Sequence, residues 1–460
     1  MRNGLFAGAI IVALSFCLAG PIHAQPPGQS YILMSRDNDL PRGLEQRIHA
    51  AGGKITRSMP EIGLVFVEAS NPGFAAAAGR FPGISSVMPD ARVQWQEPVQ
   101  TFALDFDPQD VGDPPFSGAG DMFFDLQWGH TAIGATNAWA NDIRGQGVRV
   151  AVLDGGFDLN HPDLVPNINL AVSANFVPGE SLQYGLPDAF SHGAHVAGTI
   201  AAAQNDFGTI GVAPDAELML VKVIGDQGSG SFGWLIQGIV HAANNGADVI
   251  NMSLGASFPK RGFLADNGTW VNANEVAALT TAVSRATSYA YQRGVTVFSS
   301  AGNSALDSNR TRDLVAIPSQ SAHVISISAT APIGWATDPL NISLDNLASY
   351  SDYGLSHIDF AAPGGDFIYP GDESCFVAGI LNPCWVFDLV FSTGNGGWYW
   401  SAGTSMASPH AAGVAALVIS ANGGSMHPAQ VESVIRSLAE DLGKPGRDAF
   451  FGQGRVVAPQ

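Results

Sequence analysis

Val148-Arg149-Val150-Ala151-Val152-Leu153-Asp154-Gly155-Gly156 reads as a short apolar strand that runs into a carboxylate and stops at two glycines. Runs of the same kind recur downstream: Leu218 to Ile224, Val249-Ile250-Asn251-Met252, Val295-Thr296-Val297-Phe298 and Val324-Ile325-Ser326-Ile327. Helix-like stretches alternate with them from about Asp125 onward. That alternation predicts an α/β fold, a mostly parallel sheet flanked by helices on both faces. In such sheets chemistry gathers outside the carboxyl ends of the strands, where Asp154 stands.

Two other segments carry groups that complement this carboxylate. Ser191-His192-Gly193-Ala194-His195-Val196-Ala197-Gly198-Thr199 places two imidazoles at i and i+3 where the chain turns helical. Gly403-Thr404-Ser405-Met406-Ala407-Ser408-Pro409-His410 opens a helix that continues through Ala411 to Ser420. Ser405 therefore lies in the positive field of a helix N-terminus, with a backbone N–H available to an oxyanion. A serine hydroxyl is too weakly acidic to attack an amide unaided. It needs a neutral imidazole to take its proton and a carboxylate to hold that imidazole in one tautomer. The three segments supply one group of each type, in the order Asp, His, Ser, which differs from the chymotrypsin and α/β-hydrolase orders.

In identity, order and approximate spacing, Val152-Leu153-Asp154, His192 to Thr199 and Gly403 to His410 resemble the three signature blocks of the subtilase family. The likeness extends from about Gln127-Trp128-Gly129 to Gly452-Gln453-Gly454. It implies a subtilisin-like fold and a serine endopeptidase working through an acyl-enzyme, with no cofactor for catalysis. Asp154 becomes the orienting acid, His192 the general base and acid, Ser405 the nucleophile and His195 a packed structural residue. Ser300-Ala301-Gly302-Asn303-Ser304 resembles the family's oxyanion segment and assigns Asn303 as a side-chain donor to the tetrahedral intermediate. Gly228, Ser229 and Gly230, with Ser253, Leu254 and Gly255, resemble the edges to which an extended peptide adds as a strand; a mobile loop is the other reading of Gly228 to Gly230. Leu254, Gly255, Ala301, Gly302 and Ala316 would line the pocket for the residue before the scissile bond. None of these carries a charge, which favours medium apolar side chains over Lys or Arg. The chain departs from the family at Gly155, where a hydroxyl residue is usual, and at Ala194, where Thr is. Each change removes a supporting hydrogen bond rather than a reacting group. The same resemblance implies a structural calcium ion held by the side chains of Asp163 and Asn205 and the carbonyls of Ala203, Phe207 and Thr209, a mixture of oxygens suited to calcium. Phe124 falls where the family has an amide ligand, and neighbouring Asp125 is the substitute the sequence offers. An ordinary Asx-stabilised loop is the alternative.

Upstream, Tyr31-Ile32-Leu33-Met34 and Gly63-Leu64-Val65-Phe66-Val67 flank a helix-like stretch from Leu44 to Ala51, and Phe74 to Phe81 precedes a strand-like run at Ile84 to Val87. The βαββαβ pattern over residues 30–95 predicts a small α+β, ferredoxin-like unit. Its position resembles that of the family's propeptide, a folding aid and intramolecular inhibitor removed by self-processing. No Lys or Arg occurs between Arg92 and Arg144, while Glu97, Asp105, Asp107, Asp110, Asp113, Asp121 and Asp125 accumulate among Pro and Gly. Residues 96–122 therefore read as an exposed acidic linker that contains the cut, with the peptidase domain spanning 125–460. Met1-Arg2-Asn3-Gly4, an uncharged run from Leu5 to Gly20 and Ala24 have the parts of a signal peptide (residues 1–24) cleaved after Ala24. The mature protein is expected to be a secreted monomer, extracellular or periplasmic, with no stable membrane span. In that oxidising setting Cys375 and Cys384 would form a local disulfide, two free thiols being the alternative.

Composition bounds the remaining classes. With 46% hydrophobic and 13% charged residues the chain can fill a large core, and a disordered protein is excluded. Forty acidic against 21 basic residues give a negative field that repels phosphate backbones, so peptides or proteins are the expected substrates and nucleic acid is not. Gly228-Ser229-Gly230-Ser231-Phe232-Gly233 is a literal G-x-G-x-x-G followed by Asp248. A ribose-binding acid ends its strand, however, and Asp248 begins one, at the opposite edge of the sheet. His192 and His195 lack the following Glu and third ligand of an H-E-x-x-H metallohydrolase.

Overall fold

A computed structural model of the chain describes residues 28–96, 100–104, 120–187 and 189–460. The signal-like segment and residues 105–119 of the acidic stretch lie outside these. Eight strands form the main sheet, in the order Asn346–Leu347, Val324–Ala331, Thr296–Ser300, Val249–Met252, Arg149–Asp154, Glu217–Lys222 and Ala174–Asn175, with Phe360–Pro363 also paired to Val324–Ala331. All pairings are parallel except that of Asn346–Leu347. Alternate side chains of Arg149–Asp154 enter two cores. Val150 and Val152 pack with the helices His192–Ala201 and Thr404–Ala421, while Ala151 and Leu153 pack with Phe232–Asn244 and Ala273–Gln292. A strand buried on both faces reads as an unbroken apolar run, which is why this one stood out in the sequence. The fold is the expected α/β one.

The N-terminal unit runs Gln29–Ser35, helix Leu44–Ala50, Gly53–Met59, Leu64–Ala69, helix Phe74–Ala78 and Ile84–Pro89. Its four strands are antiparallel neighbours in the order Gly53–Met59, Leu64–Ala69, Gln29–Ser35, Ile84–Pro89. Both faces of this sheet are apolar as well. Tyr31, Leu33, Val65 and Val67 cover its own helices through Leu44, Ile48 and Phe74. Ile32, Met34, Leu64 and Phe66 instead join the core of the helices Phe232–Asn244 and Ala273–Gln292, so the unit is docked on the larger domain. Arg285 donates to the carbonyls of Ser35 and Ile62 at 3.0 and 3.2 Å, and Asp90 accepts the N–H of Gly233 at 2.8 Å.

One expectation needs correction. Residues 96–122 are not an exposed linker throughout, because Thr101–Ala103 forms a strand paired with Trp398–Ser401, and Asp121 is fully buried. Phe102 packs edge-on against Trp385 with ring centroids 4.8 Å apart, an apolar anchor inside an otherwise acidic stretch. Cys375 and Cys384 are joined by a disulfide that ties the hairpin Ser374–Val377/Ile380–Pro383 to the turn carrying Trp385.

The helix that carries His192 crosses the strand Val390–Thr393 at a glycine. A Cβ at Gly198 would lie 2.7 Å from Ser392 Oγ and still closer to Thr393 Oγ1. Those hydroxyls donate to the carbonyls of His195 and Ala194 and cannot swing away without losing both bonds. Gly198→Ala is expected to destabilise the domain by about 1–3 kcal/mol, read as a lowered urea midpoint with unchanged slope. A midpoint at the wild-type value would mean that the helix and strand are not held at this spacing.

Candidate active site

Asp154 ends its strand with its carboxylate fully buried, accepting the N–H of Gly155 at 2.7 Å and His192 Nδ1 at 2.9 and 3.1 Å through its two oxygens. His192 is the first residue of its helix, whose N-cap Ser191 accepts from Ala194 N and donates to the Gly156 carbonyl. The hydroxyl of Ser191 therefore locks the histidine helix to the loop after Asp154. With Nδ1 facing the carboxylate, Nε2 is the basic nitrogen, buried and without a partner among the described residues. His195, one turn on, points Nε2 at the carbonyls of Val390 and Tyr399, and burial pushes its pKa down to about 3. It is a neutral packing residue.

Ser405 is the second residue of its helix. Pro409, inside that helix, has no N–H, so the Ser405 carbonyl loses its i+4 donor. Ser253 Oγ replaces it, donating to Ser405 O at 2.7 Å, while the Ser405 hydroxyl rests on Ser253 O at 3.2 Å. Asn251 donates to Ser253 Oγ and accepts from Ser408, so a strand end fixes the helix start at three points. Asn303 faces the same place. Its Oδ1 accepts the N–H and the hydroxyl of Thr404 at 2.9 and 2.8 Å, which orients the side-chain NH2 away from that helix turn. A Cβ on Gly403 would lie 3.4 Å from Asn303 Nδ2 and 3.6 Å from Ser405 N, so the bare glycine leaves open the space between two N–H donors. Asp352 supports the loop by accepting from the N–H groups of Ser304 and Leu306. Neither Thr404 nor Asp352 was singled out as a site residue from sequence; only the fold reveals these contacts.

The chain's own residues 92–96 run through the groove beside these groups. Arg92–Gln94 pairs antiparallel with Ser229–Ser231, Trp95 N donates to Gly228 O, and Gly255 N donates to Trp95 O. The Trp95 indole donates to Gly230 O and packs 4.8 Å from Phe232 and 5.8 Å from Phe258. A Cβ at Gly230 would meet the edge's own Val223 O at 2.7 Å and the visiting Trp95 ring at 3.1 Å, so glycine is needed here by the local backbone as well as by the visiting strand. Lys222, fully buried, bridges Glu180 and Asp226 at 2.8 and 2.5 Å and holds this edge in place. Leu254, Gly255, Ala301, Gly302 and Ala316 line one cavity of about 340 Å3 next to Ser405, together with Asp352. Gln96 and Thr101 border the neighbouring cleft at His192.

At the expected calcium loop, Asp163 Oδ2 takes the N–H and hydroxyl of Thr209 and the indole N–H of Trp398. A further acid at this loop, not among the expected ligands, is Asp121, which accepts Asn205 N at 3.0 Å. Burial, then the charges of Asp163 and Asp206, raise the Asp121 pKa to about 6. Asp121 Oδ2 and Asp163 Oδ1 are buried without partners among the described residues. Within the same residues no group of three Asp, Glu, His or Cys side chains is placed to hold a metal, so the side-chain oxygens alone do not make a cage.

Residues 145–454 match the model of the subtilase family. The chain is 36% identical to M-protease of Shouchella clausii over 79% of either chain, and 37% identical to Subtilisin Savinase of Lederbergia lenta over 72% of this chain and 97% of that one. The crystal structure of the epidermin leader peptide processing serine protease of Staphylococcus aureus superposes with a TM-score of 0.71, covering 94% of this chain and 97% of the other; at 21% identity it speaks for the fold alone. On the extent of the family match and the two sequence relatives, the chain belongs to the subtilase family and is a serine endopeptidase.

Proposed function

We propose that Asp154, His192 and Ser405 are the catalytic triad of a secreted endopeptidase made as a self-processing precursor. The observation that carries this reading is the buried Asp154–His192 pair, which leaves Nε2 as the one basic position at the cleft. In the reaction, Ser405 Oγ leaves the Ser253 carbonyl, passes its proton to His192 Nε2 and attacks the substrate carbonyl carbon. The oxyanion is received by Asn303 Nδ2 and the N–H of Ser405. His192 then returns the proton to the leaving amine, and water repeats the sequence on the acyl-enzyme. Asp154 keeps its charge throughout and stabilises the imidazolium. No metal or cofactor takes part in these steps.

Residues 30–95 act as the propeptide, and the cut falls between Gln96 and Thr101, which border the His192 cleft on either side. The substrate's N-terminal half takes the path of Arg92–Trp95, between Ser229–Ser231 and Gly255. The residue before the cut enters the cavity of Leu254, Gly255, Ala301, Gly302 and Ala316. Those five residues are uncharged, and Asp352 in the wall is turned to the loop through Oδ1, which accepts the N–H groups of Ser304 and Leu306; on the uncharged lining, apolar side chains are preferred. A calcium ion is held by Asp163, Asn205 and Asp121 with the carbonyls of Ala203, Phe207 and Thr209. Two partnerless buried carboxylate oxygens support this, since burying them uncompensated is costly. The protein is exported by residues 1–24; among the described residues no helix is long and apolar enough to cross a membrane.

Ser405→Ala is expected to abolish peptidase activity and to accumulate the uncut precursor; Asn303→Ala should lower kcat by roughly 10²–10³ with little change in KM, the size found for subtilisin itself. Wild-type turnover in either variant, measured on a quenched peptide, would overturn that residue's role. A peptide library varied at the residue before the cut should favour Leu, Met or Phe, and a preference for Lys or Arg would reject the pocket. Calcium should raise the Tm of the mature enzyme, and Asp163→Ala should remove the rise. Equal Tm values in excess calcium and excess chelator would eliminate the ion.

A further inference from the structure

Residues 101–104 lie along the catalytic surface. Thr101, Phe102 and Ala103 pair antiparallel with Ser401, Trp400 and Tyr399, and Leu104 N donates to Trp398 O at 2.9 Å. The strand Trp398–Ser401 leads through Ala402 and Gly403 straight into Thr404 and Ser405, so its outer edge is a continuation of the nucleophile's own backbone. Phe102 meets the half-buried Trp385 edge-to-face at 4.8 Å. The position of Trp385 is fixed on both sides: Cys384 before it is buried, disulfide-bonded and hydrogen-bonded to Glu373 O, and Val386 and Phe387 after it are buried.

We propose that the outer edge of Trp398–Ser401 and the Trp385 ring form a binding strip for the substrate polypeptide on the C-terminal side of the scissile bond. The substrate adds there as an antiparallel strand, and an aromatic side chain in the place of Phe102 packs on Trp385. The proposal rests on the reading that Gln96 and Thr101 flank the cut. Residues 101–104 show the occupant's geometry in the precursor. Once the bond before them is cut, a three-residue pairing, the Leu104 N–H bond and the packing of Phe102 and Leu104 hold them, a short pairing of the kind that is marginal by itself, and a substrate strand displaces them. Main-chain pairing gives such a strip affinity for any extended polypeptide, and the ring gives it one selective position.

The test uses the processed enzyme and quenched peptides that share one N-terminal half. One set ends two residues after the scissile bond; another extends to seven, with a single Phe moved through the second to sixth positions in an Ala and Ser background. Extension should raise kcat/KM, and Phe at one position should add about tenfold over Ala, mostly through KM. Trp385→Ala should bring that Phe-to-Ala ratio to about one, while Trp385→Phe should keep most of it. A flat scan in the wild type, no gain on extension, or a peak that survives Trp385→Ala would overturn the strip. The N-terminus of the processed enzyme separates the two readings: a flat scan with an N-terminus between residues 97 and 101 sinks the strip alone, and an N-terminus elsewhere sinks the reading of the cut on which the strip rests.

Discussion

The catalytic surface depends on one constraint: the helix Thr404–Ala421 is buried around its whole circumference. Every residue from Thr404 to Ile419 is buried. A helix buried all round has no free face along which to shift, so its N-terminus is a fixed point in the molecule. Its small residues are what allow this. A Cβ at Gly413 would lie 2.6 Å from Val212, and alanine occupies Ala407, Ala411, Ala412, Ala415 and Ala416. Ser405 is thus placed by packing along five turns of helix as well as by its immediate neighbours.

Such packing leaves main-chain groups that only side chains can satisfy. Pro409 frees the Ser405 carbonyl, and Ser253 answers it from the end of the neighbouring strand. Asn251 and Ser408 complete the link between sheet and helix. Thr404 fixes the Asn303 amide, and Asp352 fixes the loop behind it. Asn251 and Ser253 stand at the end of Val249–Met252 and Asn303 follows the neighbouring strand Thr296–Ser300, so two adjacent strand ends meet the start of one helix, which is how groups far apart in sequence reach one surface. The absent hydroxyls at Gly155 and Ala194 leave the Asp154–His192 contact standing, because Ser191 carries the helix-to-loop link.

The fold was legible because buried parallel strands produce unbroken apolar runs. The candidate site residues were picked out because the segments that carry them resemble the family's signature blocks, and the chain at those places is marked by glycine. Gly53–Met59 escaped because it is an edge strand that carries Lys54 and Arg57 outward and shows no apolar run. Thr101–Ala103 escaped because three residues are too few for a period and the surrounding charge suggested solvent. Asp121 escaped because its contact with Asn205 spans 84 positions, and spacing along the chain cannot show it. What the sequence concealed was therefore tertiary: long-range side-chain to main-chain bonds at the back of the site.

The groove beside the candidate site is filled by the chain's own residues 92–96. Antiparallel main-chain bonds read no side chain, and beyond them Arg92–Trp95 is held by the Trp95 indole and by the docked unit behind it. That docking combines an apolar sheet face, two bonds from Arg285 and the half-buried Asp90 at the start of the helix Phe232–Asn244. Burial raises the Asp90 pKa to about 6, against the lowering effects of the Gly233 N–H, Ser231 and Arg92. A carboxyl with a raised pKa favours the docked state most when protonated, so this contribution is present below its undocked value and declines as pH rises through about 6. At neutral pH the interface encloses a carboxylate that its surroundings disfavour. The unit is therefore held mainly by apolar contact and by its covalent tether, and cutting the tether removes the high effective concentration that makes the groove occupied.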